Sequence, residues 1–140
     1  LVYSGESRKS GINNWEVYKG FFDGDEKIRR GLEEIRDYTL FGIDALKENN
    51  YKRFVECICL EGDVREKLFS EILTEKMASL KEKLARESNS FKGMKVCGAG
   101  GGGCFLVVGE EKEEIRNIIE TFGMEVLDFS IEPPRAGFCD

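Results

Sequence analysis

Residues 95–108 read Lys-Val-Cys-Gly-Ala-Gly-Gly-Gly-Gly-Cys-Phe-Leu-Val-Val, and five of the six residues 98–103 are glycine. Glycine loses more conformational entropy on folding than any other residue. A cluster of it between two apolar, strand-like runs therefore constrains the fold more than any other feature of the chain. Either the backbone turns there through positive φ, or something approaches it closely. A phosphate group is the commonest such visitor, because successive backbone N–H groups form an anion-binding nest.

The segments around the cluster set the fold class. Leu1–Tyr3 reads as a short strand, followed by the polar loop 4–11. Ile12–Phe22 is partly periodic and predicts a helix ended by Asp23-Gly24. Asp25 is an N-cap for a long helix to about Glu48, with Ile28, Leu32, Ile35 and Leu46 near helical spacing and Phe41 and Ile43 widening the stripe. Tyr51 to about Leu60 predicts a short helix, broken at Gly62. Asp63 then caps a second long helix to about Glu87, with Val64, Leu68, Ile72, Leu80 and Leu84 on one face and Met77 close to it. Met94–Cys97 and Cys104–Gly109 predict two strands flanking the glycine loop, the second apolar enough to be central in a sheet. Glu110-Glu111 opens a helix that buries Ile115, Ile118, Ile119 and Phe122, with Gly123 as its C′ residue. Glu125–Ile131 alternates as a strand, ended by Pro133-Pro134. This order predicts an α+β fold of the ferredoxin-like kind: an antiparallel sheet of about four strands with helices packed on one face.

The length of 140 residues suits a single domain, 1–140, with a real core. A formal charge of −6, with no long basic stretch, argues against a nucleic-acid partner. The absence of histidine excludes Ser–His catalysis and histidine zinc sites in these residues. No apolar run approaches the ~18 residues of a membrane span, and no signal peptide is recognisable, so no membrane partner and a cytoplasmic location are expected. The five cysteines are odd in number and lack CxxC spacing. The pair Cys57 and Cys59 lies in a helix-like apolar run, so buried reduced thiols are expected rather than a metal site. The Trp15, Tyr18, Phe21, Phe22 cluster reads as core packing, and the charge runs Glu110–Glu114 and Lys81–Arg86 as solvated helix faces.

The glycine loop is neither a Walker A loop nor a dinucleotide fingerprint. Both of those open a helix, and the first needs Gly-Lys-Ser/Thr, whereas here Cys104-Phe105 leads into a strand. The segment GAGGGGC, preceded by Lys-Val-Cys and followed by Phe-Leu-Val-Val, resembles the third motif of the GHMP kinases, the family of galactokinase, homoserine kinase, mevalonate kinase and phosphomevalonate kinase. The opening Val-Tyr-Ser-Gly-Glu-Ser-Arg-Lys-Ser looks like the segment that starts the C-terminal half of the heptose-phosphate kinase branch. Val126–Ile131 looks like that branch's last strand.

The resemblance implies the C-terminal, acceptor-side domain of an ATP-dependent kinase acting on a sugar or sugar phosphate. It places Gly98, Ala99, Gly100, Gly101, Gly102 and Gly103 beside the transferring phosphate. Ser7, Arg8 and Ser10 become substrate-binding candidates. Arg8 is suited to clamp a sugar phosphate or carboxylate, or else to pair with Glu6 at the surface. ATP and Mg²⁺ would be bound mainly by an N-terminal kinase domain. That domain's Ser-Ser-Ala phosphate loop and catalytic aspartate have no counterpart in these residues, so no catalytic residue and no metal ligand is assigned here. An apolar docking face, and a homodimer formed through it, are the corollary. The competing reading is a non-catalytic ferredoxin-like ligand-binding or dimerisation module.

Overall fold

The computed structural model describes residues 1–7 and 11–130. Its elements are β1 (Val2–Tyr3), α1 (Gly11–Phe22), α2 (Glu26–Lys47), α3 (Tyr51–Leu68), α4 (Glu75–Glu87), β2 (Phe91–Val96), β3 (Cys104–Gly109), α5 (Lys112–Thr121) and β4 (Glu125–Val126). The strands form one sheet in the order β2-β3-β1-β4, with every neighbouring pair antiparallel. Two helical crossovers, one from β1 to β2 and one from β3 to β4, interleave the strands. This is the ferredoxin-like α+β arrangement that the element order predicts.

Side-chain caps start three of the helices. Asp25 accepts from the N–H groups of Lys27 (2.8 Å) and Ile28 (3.2 Å). Asn50 accepts from Arg53 N (3.1 Å), and the Thr74 hydroxyl accepts from Met77 N (3.3 Å). Each satisfies a backbone donor that the first helical turn leaves without a partner.

The core lies on one face of the sheet. Val2, Met94, Val96 and Phe105 project from the strands toward Met77, Leu80 and Leu84 of α4 and Ile115 and Ile119 of α5. Strand alternation makes this possible, because Val96 and Phe105 are register partners and so share a face.

Four expectations are corrected by the structure. The helix expected to stop at Gly62 continues unbroken through it, and the break falls at residues 69–74 instead. Val64 and Leu68 therefore belong to α3, and Thr74, not Asp63, caps the next helix. The reason is packing. A Cβ on Gly62 would stand 2.5 Å from Met94 O and 3.3 Å from Lys95 Cα. Glycine here lets α3 lie against the backbone of the edge strand β2, and that contact outweighs a helix-propensity cost of about 1 kcal/mol.

Second, Trp15, Tyr18, Phe21 and Phe22 are exposed rather than core, Phe22 at 83%. On α2 the buried positions are the small residues Gly31, Gly42 and Ala45, while Phe41, Ile43 and Leu46 face outward. Third, the last strand is only Glu125–Val126, because β1 offers just Val2 and Tyr3 as register partners. Beyond them a single bond follows, from Leu127 N to Leu1 O (2.8 Å). Fourth, β2 is longer than expected and starts at Phe91, with an irregularity between Phe91 and Gly93. The expected stop at Pro133-Pro134 lies outside the described residues.

No helix among the described residues is long and apolar enough to cross a membrane.

Candidate functional site: the glycine hairpin loop and its flanking cleft

The loop joins β2 to β3. Gly98, Gly100, Gly101, Gly102 and Gly103 all have positive φ, between 68° and 116°. A side chain in the left-handed region costs about 1–2 kcal/mol per residue. Five such positions would cost about 5–10 kcal/mol, comparable with the whole stability of a domain. Glycine is the residue type that takes this path without that strain.

Close approach holds as well, and the chain itself makes it. A Cβ on Gly100 would stand 2.5 Å from Ile72 Cγ1 and 2.6 Å from Ile72 O. A Cβ on Gly102 would stand 2.9 Å from the carbonyl oxygens of Glu6 and Ser7. Backbone bonds fix the same contacts. Gly101 N donates to Ile72 O (3.0 Å), Gly103 N donates to Glu6 O (2.9 Å), and Ser4 N donates to Gly103 O (3.0 Å). Cys97 N donates to Cys104 O (3.0 Å) at the loop's neck. The loop is thus held on two sides, by the segment after β1 and by the turn between α3 and α4. The Thr74 hydroxyl donates to the Glu6 carboxylate and joins those two segments to each other. Among the described residues no acceptor meets the N–H groups of Gly98, Ala99 and Gly102. Gly98 is exposed and Ala99 half-buried.

Beside Gly98 and Ala99 opens a cleft of about 410 Å³, lined also by Asn14, Arg65, Lys95, Val96 and Cys97. Two cations therefore face it. Both pair with one carboxylate, Glu61, whose side chain is 7% exposed. Arg65 Nε lies 2.5 Å from Glu61 Oε1, and Lys95 Nζ pairs with Oε2. A carboxylate buried that deeply is tolerable only when paired. With two positive charges on one negative, the cluster carries a net positive charge in a chain whose total is −6. Glu61 and Lys95 also line a second, mainly apolar cleft of about 230 Å³ between α2 and α3, with Tyr38, Leu46 and Phe54.

Where α4 faces α3, burial pulls the Lys81 ammonium toward deprotonation. Its hydrogen bonds to Glu66 (2.5 Å) and Asp63 (3.2 Å) outweigh that and leave it raised above the usual lysine range. Burial pushes the Cys59 thiol up, and the nearby Asp63 and Glu56 carboxylates add to the effect.

The sequence-derived candidates divide. Gly98–Gly103 form one contiguous loop. Ser7 sits against it through its carbonyl oxygen, with an exposed side chain. Arg8 and Ser10 lie outside the described residues. The Glu6 carboxylate, the surface partner considered for Arg8, accepts from Thr74. Glu61, Arg65 and Lys95 were not anticipated as a cluster. The i,i+4 spacing of Glu61 and Arg65 was the available signal, and reading Gly62 as a helix stop concealed it.

Cys57 and Cys59 stand two apart on α3 and leave it in different directions. Cys57 is buried against Gly42 of α2, and Cys59 meets Gly93 of β2, so the pair does not converge on a metal. Among the described residues Cys57, Cys59 and Cys104 are free of disulfides, and of these only Cys57 is buried. Cys139 lies outside the described residues. Among the described residues no group of three or more histidine, cysteine, aspartate or glutamate side chains is placed to hold a metal ion.

A ferredoxin-like sheet whose β2–β3 hairpin carries a loop with five left-handed glycines is the architecture of a C-terminal domain found in small-molecule kinases. The chain belongs to the GHMP kinase family, and the family model for the GHMP kinase C-terminal domain matches residues 43–123, more than half of it. The match runs from the last turns of α2 through α3, α4, β2, the glycine loop, β3 and α5. No curated protein matches the chain.

Proposed function

We propose that the chain is the acceptor-side domain of an ATP-dependent kinase that phosphorylates a hydroxyl group of a sugar or sugar phosphate. An N-terminal kinase domain would supply most of the contacts to ATP and Mg²⁺. The observation that carries this reading is the glycine loop itself, with five left-handed residues pinned by Ile72 and Glu6 and further backbone donors that meet no acceptor among the described residues. Phosphoryl transfer depends on positioning and on stabilising charge over the transferring group. A pinned loop with no side-chain bulk offers N–H donors at close range without reorganising. The opening segment Ser4–Ser10 and the strand after Gly123 support the sugar-kinase branch by resemblance. The exposed Trp15, Tyr18 and Phe22 of α1 support a docking face for the N-terminal domain.

The test is phosphotransfer by the two-domain enzyme against a panel of sugars and sugar phosphates, with Gly98→Val beside it. Gly98 is exposed, so the substitution strains the loop without filling a packed site. The expected result is a fall in kcat/KM of at least about tenfold, which is about 1.4 kcal/mol of transition-state stabilisation, with the melting temperature lowered only by the several degrees that about 1–2 kcal/mol of left-handed strain costs. The 140-residue chain alone is expected to turn over no ATP. Wild-type kinetics in Gly98→Val would remove the loop from the reaction.

A further inference from the structure

Resting on the kinase reading above, we infer that Lys95 and Arg65, tethered to the buried Glu61, form the seat for a phosphate monoester already present on the acceptor molecule. Three observations converge. Lys95 stands on β2 two residues before the loop's neck at Cys97, while Arg65 reaches the same cleft from α3, and the contact at Gly62 fixes helix and strand relative to each other. The cleft's other wall is Gly98 and Ala99, whose N–H groups meet no acceptor among the described residues. Arg65 spends only its Nε on Glu61, and its Nη groups have no acceptor among the described residues. They present the guanidinium's outer edge, which matches two oxygens of a phosphate.

Charge selects the ligand class. Glu61 neutralises one of the two cations. An incoming carboxylate therefore meets a net single positive charge, and a phosphate monoester, at close to two negative charges, gains about twice as much from the same field. The pairing with Glu61 also holds both long side chains in place before the ligand arrives, which lowers the entropy lost on binding. Glu61 thus acts as a positioning residue and at the same time competes with the ligand for both cations.

That dual role gives the cluster a signature that a purely structural ion pair lacks. Inorganic phosphate is titrated into the ¹⁵N-labelled chain while the Gly98 and Ala99 amide resonances are followed, with acetate as a parallel arm. Lys95→Met and Arg65→Gln are each expected to weaken phosphate binding at least fivefold. Glu61→Gln is expected to tighten it severalfold, since it removes the competing charge and keeps the shape. Acetate is expected to bind several times more weakly than phosphate. Urea denaturation of the same samples separates folding from binding. If all three variants lower stability and none shifts phosphate affinity, the cluster is structural and the inference is overturned; acetate binding as tightly as phosphate also overturns it.

A second arm uses the two-domain enzyme, in which the same variants should leave the KM for ATP unchanged. A raised KM for ATP would assign the seat to the nucleotide and overturn the inference. Phosphate binding by the chain is read without any turnover, so a failure of the kinase reading and a failure of the seat remain distinguishable.

Discussion

The two sides of this domain bury apolar surface in opposite ways. Where α4 and α5 meet the sheet, large side chains are driven fully inside: Met77, Leu80, Leu84 and Phe105 are each 0% exposed. Where α1 lies on α2 and α2 on α3, the buried positions of α2 are Gly31, Gly42 and Ala45, and the bulky residues Phe22, Phe41 and Leu46 stand outward. The first side is a jigsaw of large residues and supplies stability. The second is a close approach of helix backbones that leaves large apolar side chains in water. The glycine loop and the Glu61 cluster sit at the seam, pinned by the first side and opening toward the second.

The contrast is broken most severely from the core. Leu80→Ala should cost about 2–5 kcal/mol, through lost transfer free energy and the cavity left behind. Urea denaturation monitored by circular dichroism measures it, and a loss under 1 kcal/mol would mean that α4 is not the stabilising layer. Gly62→Ala comes next. Its methyl group would press on the Met94 carbonyl, with a cost of about 1–3 kcal/mol partly offset by about 1 kcal/mol of helix propensity. The same denaturation reads it, and a gain in stability would show that α3 can shift away from β2. Smallest is Phe22→Ser, expected within about 0.5 kcal/mol of wild type in the chain alone. A loss of 2 kcal/mol there would mean that the ring is buried, and would erase the distinction between the two sides.

How far the sequence discloses this molecule follows the same division. The layer of α4, α5 and the strands was legible because its large apolar residues recur at helical and strand spacing, and periodicity reports burial when burial is by bulk. The α1–α2 side misled because burial there is by small residues. Gly31 and Gly42 carry no hydrophobic signal, and the aromatic residues that do carry one point the other way. The glycine loop was visible as a loop, and its positive φ values were one of two stated possibilities. What the sequence did not show was that Ile72 and Glu6 pin it, because those contacts join residues distant along the chain through backbone atoms, which leave no compositional trace. The Glu61 cluster was hidden by a local rule. Glycine in a helical pattern reads as a stop unless the strand it packs against is known.

The pinning of the loop also bears on the order of folding. The bond between Thr74 and Glu6 spans 68 residues of sequence, and the glycine loop lies beyond both partners. Closing so large a ring carries an entropy cost that must be met before its contacts return anything. Helix pairs such as α2 with α3 are local and can form early. The left-handed path of the glycines has nothing to hold it until β1 and the turn after α3 have both arrived. The loop therefore belongs to the last stage of folding, and phosphate-binding competence should appear in step with the final cooperative transition rather than with the appearance of helix.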